Sequence, residues 1–460
     1  LAVFAVVLLL AVASTAVAEP ELPLPTHPGR EETDPVKSRP KPAQPGREEF
    51  PTAHRTLSQL PKPGQPSRGL SPPGEEPPTE AESSEDEVPP GLTNFLPHTA
   101  KGITAEYIYT GEGFSNAHGG LNTNQATSYR GNLDLVMHFD TQAMGLWQGG
   151  RFLIYGQNTH GRTLSTNDVG DWQYFSNLDS TPRPEFTQVS EYWYQHNVAD
   201  NAAWFKLGKQ DANANFAFCD LGGDFVNSSF GLIPTVPLPT FPNPGLGLAG
   251  FWHLDEHLLL AGGVYNGAPQ GGQFGFNTLG SNGYFSIVQL DVKTQWGAQE
   301  QLPQTIRLGA WHHSGDWEEI AAADGRTFNQ NYGVYASIDQ LLWKENGEAG
   351  DEQGFGVFAQ YGWAPGDRNM VDEYYGGGLL YRGWLAGRDT DLVGLGFASV
   401  LFSHQQHAID GATRETAYEL FYKWYVNRYI SVQPDTQYIV QPSGIHRDAL
   451  VTGVRFEIVF

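Results

Sequence analysis

Leu450-Val451-Thr452-Gly453-Val454-Arg455-Phe456-Glu457-Ile458-Val459-Phe460 alternates apolar with polar or small residues, and that alternation decides the fold. Leu450, Val454, Phe456, Ile458 and Phe460 fall on one face. Val451, Gly453, Arg455, Glu457 and Val459 fall on the other, the period of a strand with lipid on one side and a wet lumen on the other. An outer-membrane β-barrel is expected to finish on such an aromatic strand. A soluble β protein can finish on one too, so the rest of the chain has to decide.

Residues 92 to 460 are rich in Gly, Tyr, Trp and Phe and poor in Met and Cys, a β composition. Sixteen alternating runs are predicted as strands, from 103–111 and 126–139 through 303–314 and 328–341 to 415–426, 429–439 and 450–460. Most have about the ten residues a tilted membrane strand needs. In the fourteenth run Tyr418, Leu420, Tyr422, Trp424 and Val426 share one face, and Glu415, Glu419 and Lys423 the other. In the tenth, Tyr332, Val334, Ala336 and Ile338 oppose Tyr335, Ser337 and Asp339. No long helical pattern is present to cover the apolar faces, so lipid is the expected cover. Trp147, Trp252, Trp343, Trp384 and Tyr429 near strand ends fit interfacial girdles, with ordinary cross-strand packing as the alternative.

The connections alternate in length. Long ones are predicted at 112–125, 160–186, 211–245, 267–283, 315–327, 364–372, 403–414 and 440–449. Between them come turns such as Ala199-Asp200-Asn201, Leu254-Asp255-Glu256 and Asn427-Arg428, although 140–149 and 342–353 are long for this set. Short turns on one rim and long loops on the other are the habit of outer-membrane barrels. A propeller or sandwich should show a repeat or two apolar inner faces, and neither is visible. The expected fold is all-β: a transmembrane antiparallel barrel of about 16 strands over 92–460, located in the bacterial outer membrane.

Leu1 to Val12 is almost wholly apolar and is followed by Ala16-Val17-Ala18, a small-x-small cleavage pattern. Residues 1–18 are therefore expected to be a secretory signal peptide with its basic start missing. Ser14, Thr15 and Glu19 interrupt the run before it reaches the length of a spanning helix. Residues 1–91 hold 18 of the 31 prolines and almost no aromatics, so 19–91 reads as a Pro-rich disordered tail or linker. Within it Pro28-Gly29-Arg30-Glu31-Glu32 recurs as Pro45-Gly46-Arg47-Glu48-Glu49. Such repeats favour extended polyproline II, either as a passive spacer or as a tether.

The formal charge is −24, of which −6 falls on residues 1–91 and −18 on the remainder. An anion-specific pore would want basic rings, so phosphate and nucleotides are poor candidate solutes, and no nucleic-acid partner is expected. The one cysteine, Cys219, excludes an intrachain disulfide framework and any zinc site built on several thiolates. No cofactor or metal is expected. Nor does an enzyme reading find support: HExxH, G-x-S-x-G and the P-loop are missing. His312-His313 stands beside Ser314 and Asp316, but adjacent strand residues point to opposite faces.

Two blocks carry a resemblance. Trp204-Phe205-Lys206-Leu207-Gly208-Lys209-Gln210-Asp211, Asn215-Phe216, Phe225-Val226-Asn227-Ser228-Ser229-Phe230-Gly231 and the Pro-rich Pro234 to Pro244 form the first. Glu415-Thr416-Ala417-Tyr418-Glu419-Leu420-Phe421-Tyr422, Ser431-Val432-Gln433-Pro434-Asp435-Thr436-Gln437-Tyr438-Ile439 and Pro442-Ser443-Gly444 form the second. Together they resemble the carbohydrate-selective outer-membrane porins (OprB), over about residues 100 to 460. The resemblance implies a sixteen-stranded barrel that passes sugars down their gradient without a chemical step. A nonselective general porin and a secreted soluble carbohydrate-binding β protein are the alternatives.

On this reading function sits in 211–245, an unusually long connection, expected to fold inward as a constriction loop or to plug the barrel. It carries Asp211, Asn213, Asn215, Asp220, Asp224 and Asn227 among Phe216, Phe218, Phe225 and Phe230. Carboxylates and amides bond sugar hydroxyls, and aromatic faces stack on the C–H faces of pyranose rings. Prolines 234, 237, 239, 242 and 244 would stiffen the loop. Arg151, Lys209, Arg307, Lys423 and Arg455 are expected on the lumen wall as donors, with Glu191, Glu419 and Glu457 as acceptors and Trp193 and Trp311 as stacking surfaces. A one-residue register error would move any of them to the lipid face. Expected partners are sugars as solutes, outer-membrane lipid and lipopolysaccharide, and a possible homo-oligomer.

Overall fold

The computed structural model describes residues 99–460 apart from 180–184, 271–273, 298–301, 321–324 and 346–351. The segments expected as signal peptide, 1–18, and Pro-rich tail, 19–91, lie outside the described residues. Sixteen long strands form the body. They are β1 Ile103–His118, β2 Thr127–Asp140, β3 Gly150–Gly161, β4 Phe186–Val198, β5 Ala203–Gln210, β6 Gly245–His253, β7 Leu258–Asn266 and β8 Tyr284–Trp296. The second half comprises β9 Leu302–His313, β10 Asn331–Lys344, β11 Gly354–Trp363, β12 Val371–Arg382, β13 Leu392–Phe402, β14 Arg414–Asn427, β15 Ile430–Val440 and β16 Ala449–Val459. Sequential neighbours pair antiparallel, and β16 returns to β1 with Glu457 opposite Thr110 and Gly453 opposite Phe114. Closure satisfies the ladder hydrogen bonds internally, which is what a β structure needs to cross a bilayer.

Predicted runs and observed strands correspond one for one. The largest difference is at β1, which continues to His118 instead of stopping at 111. Ser115 is held on both sides, opposite Thr127 and Thr452. The Gly111-Glu112-Gly113 stretch, which breaks the apolar alternation, therefore lies inside the strand, and the first loop shrinks to 119–126.

Burial follows the expected two-residue period. In β14 Tyr418, Leu420, Trp424 and Val426 are exposed outward, while Glu415, Glu419, Phe421 and Lys423 are buried inside. In β10 Tyr332 and Val334 are exposed and Tyr335, Ser337 and Asp339 buried. The exposed tryptophans 147, 252, 296, 343, 384 and 424 stand towards the short-turn rim, and the exposed tyrosines 129, 284, 332, 375 and 438 towards the long-loop rim. That is the pair of aromatic girdles that flanks a lipid-facing band.

The inner face is not uniformly polar, because the 211–244 connection folds into the lumen. Its Phe216, Phe225, Phe230, Leu232, Ile233, Val236 and Leu238 join inner-wall residues of β6–β14, among them Phe251, Tyr265, Ile287, Trp311, Tyr335, Phe358 and Phe421, in one apolar core. Each fully buried side chain of this kind contributes roughly 1.5–3 kcal/mol. Glycines on the wall give the loop room. A Cβ at Gly362 of β11 would lie 2.5 Å from Ile233 Cγ2, and one at Gly396 of β13 would lie 2.6 Å from Phe230 Cε1.

Candidate functional site in the barrel lumen

Polar contacts decide how the loop lies. Asp339 of β10 accepts the backbone N–H groups of Asp220 and Leu221, each at 2.9 Å. Glu419 of β14 accepts those of Val226 at 2.6 Å and Asn227 at 2.9 Å. Between these two anchors Asp224 pairs with Lys423 at 3.1 Å, and Gln433 of β15 donates to its carbonyl at 2.9 Å. Loop backbone that would otherwise be buried without partners is thus satisfied by wall carboxylates, at about 1.5–3 kcal/mol for each hydrogen bond to a charged group.

Residues 162–179 follow the same rule. Glu415 accepts the N–H groups of Trp172 at 2.7 Å and Gln173 at 2.8 Å. Gln437 donates to the Phe175 carbonyl at 2.7 Å, and Arg455, paired with Glu112 at 2.8 Å, donates to Asn177 at 2.6 Å. The reading of the sequence assigned no lumen role to this connection. Its Trp172-Gln173-Tyr174-Phe175 cluster, unusual for a solvated loop, was the available signal.

Asp220 is the exposed carboxylate of the 211–244 loop, with 54% of its side chain open. Its partner is Arg307 of β9, which also binds Asp339 at 2.6 Å and lies 3.9 Å from Asp291. Phe218 covers the guanidinium at 4.2 Å. A second group gathers where β4 and β5 meet the start of the loop. Trp193 donates to Glu191 at 3.2 Å, Glu191 accepts the Asp211 N–H at 3.0 Å, and Lys206 donates to Asn215 at 3.1 Å. The Lys206 ammonium stands 4.5 Å from the Trp193 ring centre. Burial, and then the neighbouring Glu191 carboxylate, push the Asp211 carboxyl up to about 8. Arg151 is exposed on the same parity as the inward Leu153 and Tyr155.

Several expected solute contacts are corrected. Lys209 is not a lumen donor: it lies level with Tyr192 and Leu246, on the parity of the outward Leu207. It is fully buried and donates to the Val189 carbonyl at 2.9 Å. The basic residue of β5 that reaches the loop is Lys206, because the inward parity of this strand runs through Trp204, Lys206 and Gly208, the last opposite the inward Trp193. Trp311 has the inward parity expected of it but is 3% exposed, sealed beneath the loop beside Phe285. Asn213 is buried and spends its amide on the Phe216 and Ala217 carbonyls. Asn227 caps the short helix Ser228–Gly231. Asp211, Arg307 and Glu419 are likewise buried, and hold backbone or charge partners of the loop. The half-open or open polar members of the expected set, with Trp193, are Asn215, Asp220, Asp224, Glu191, Arg151 and Glu457, the last paired with the buried Lys423 at 2.9 Å. No group of metal-ligating side chains occurs among the described residues.

Comparison with known proteins bears on the whole barrel. A family model, the carbohydrate-selective porin, OprB family, matches residues 124–460. Porin B of Pseudomonas aeruginosa is 25% identical over 410 residues, covering 78% of this chain and 88% of that protein. The high-pH structure of Pseudomonas putida OprB superposes with a TM-score of 0.69 at 22% identity, over 78% of this chain and 94% of the other. Its low-pH counterpart gives 0.51 at 19% identity, over 78% and 93%.

Proposed function

Because the chain belongs to the carbohydrate-selective porin (OprB) family and is an outer-membrane sugar channel, we infer that its solutes pass between the 220–227 lip of the inward loop and the β3–β5 wall. The observation that carries this reading is two polar groups with open members: Asp220 beside Arg307 and Phe218, and Trp193 and Glu191 with Lys206 and Asn215. A carboxylate, an amide and an ammonium offer sugar hydroxyls both acceptors and donors, and the indole offers apolar surface for a ring's C–H groups. Each basic group named here is matched by carboxylates, which supports neutral sugars over anionic ones as solutes.

The same reading puts outer-membrane lipid against the apolar outer band and lipopolysaccharide against the tyrosine rim, with a homo-oligomer as the further partner, testable by native mass in detergent. Liposome swelling tests the solute reading, with glucose, a disaccharide, a similar-sized amino acid and an uncharged polyol compared on the refolded protein. Fast sugar entry against slow entry of the others is expected, altered by Asp220→Ala and unchanged by Asp367→Ala. Uniform entry graded only by size would favour a nonselective porin, and equal small effects of both substitutions would remove the lip from the solute path.

A further inference from the structure

The lip is suspended between two wall residues that make the same unusual contact. Asp339 and Glu419 each accept two consecutive backbone N–H groups, at 220–221 and at 226–227. They stand on β10 and β14, four strand intervals apart, or about 19 Å along the wall at about 4.8 Å per interval. The residues from 220 to 227 span at most about 25 Å when extended. In the structure the segment is folded into turns, Gly223 donating to the Asp220 carbonyl at 3.3 Å and Phe225 to the Gly222 carbonyl at 3.4 Å, so the two carboxylates fix both ends of a compact lip.

We propose that Asp339 and Glu419 are positioning residues that set the width of the sugar path by clamping the two ends of the 220–227 lip. This rests on the reading that the lip borders that path. Neither carboxylate is free to touch solute: Asp339 is backed by Arg307 at 2.6 Å, and Glu419 is buried beside Asp435. A carboxyl group suits the task because its two oxygens can each accept one of two consecutive N–H groups. The amide of Gln or Asn keeps one acceptor and turns a donor towards the other N–H.

The test compares Glu419→Gln, Asp339→Asn and the wild type, each refolded and shown to be an intact barrel by heat-modifiable gel migration. Hydrogen exchange is read at residues 220–227, and liposome swelling is read as the rate for a trisaccharide relative to a monosaccharide. Loss of one hydrogen bond to a charged group should speed exchange at the released end by roughly tenfold or more and raise the trisaccharide ratio. Glu419→Asp, which keeps the carboxylate, should restore part of both. Unchanged exchange and unchanged sieving in a folded variant would overturn the clamp and leave the solute reading standing. Faster exchange with unchanged sieving would overturn both, because the lip would then move without bordering the path. Should one variant fail to fold, the other decides, since each clamp is predicted to act on its own end.

Discussion

Replacing Gly396 by valine tests the packing that places the loop. A Cβ at this position would stand 2.6 Å from Phe230 Cε1 and 2.9 Å from Phe225 Cε1. Carbon atoms in ordinary contact stay about 3.5–4.0 Å apart, so the loop must retreat by about 1 Å. The two rings have no sideways escape. They stack on each other at 4.3 Å, and Phe225 meets Phe358 and Phe421 edge-on at 5.5 and 5.0 Å. Retreat is therefore away from the wall and into the lumen, at an overpacking cost of about 1–3 kcal/mol. Gly396→Val should lower both the single-channel conductance in planar bilayers and the midpoint of heat modification. Gly113→Ala is the control, because a Cβ there meets nothing within 4 Å, and it should change neither. Conductance and midpoint equal to wild type in Gly396→Val would refute the claim that Phe225 and Phe230 pack on β13.

Two further outcomes are expected. Trp193→Ala should slow sugar entry relative to a polyol of the same size while leaving the heat-modification midpoint close to wild type. Trp311→Ala should do the reverse, since emptying a site under the loop costs about 3–5 kcal/mol; swelling assays and gel migration separate the two. Asp211 has its folded carboxyl raised to about 8, so it stays protonated where the unfolded chain has already lost the proton. Its contribution to stability is complete below the ordinary carboxylate range and declines as pH rises towards about 8. Asp211→Asn removes that decline, so the variant should exceed the wild type in stability by more at pH 8 than at pH 5. A pH-independent difference would place the carboxyl in its ordinary range.

The clamps mark where sequence reading ran out. Parity alone put Glu419 and Asp339 on the inner wall, but the groups they hold, Val226 and Asp220, lie 193 and 119 residues away, a separation that no local pattern encodes. The same limit explains Trp311, correctly turned inward and then covered by a loop whose direction its own composition does not state. Lys209 failed for a smaller reason: a short strand with Gly208 inside it offers few apolar residues from which to count the faces.

By itself, the sequence determined the sixteen strands, the inner and outer faces of those with a clear apolar alternation, the alternation of turns with loops and the membrane as the cover of the outer face. These follow from a two-residue period and from turn residues, which act between near neighbours. Only the tertiary structure decided that residues 162–179 enter the lumen, where along the wall residues 211–244 are held, that β6–β14 present an apolar inner wall to receive them, and which of the inward side chains remain open to solute. Those outcomes depend on the pairing of buried backbone amides and aromatic rings with distant strands, and that pairing exists only once the barrel has closed.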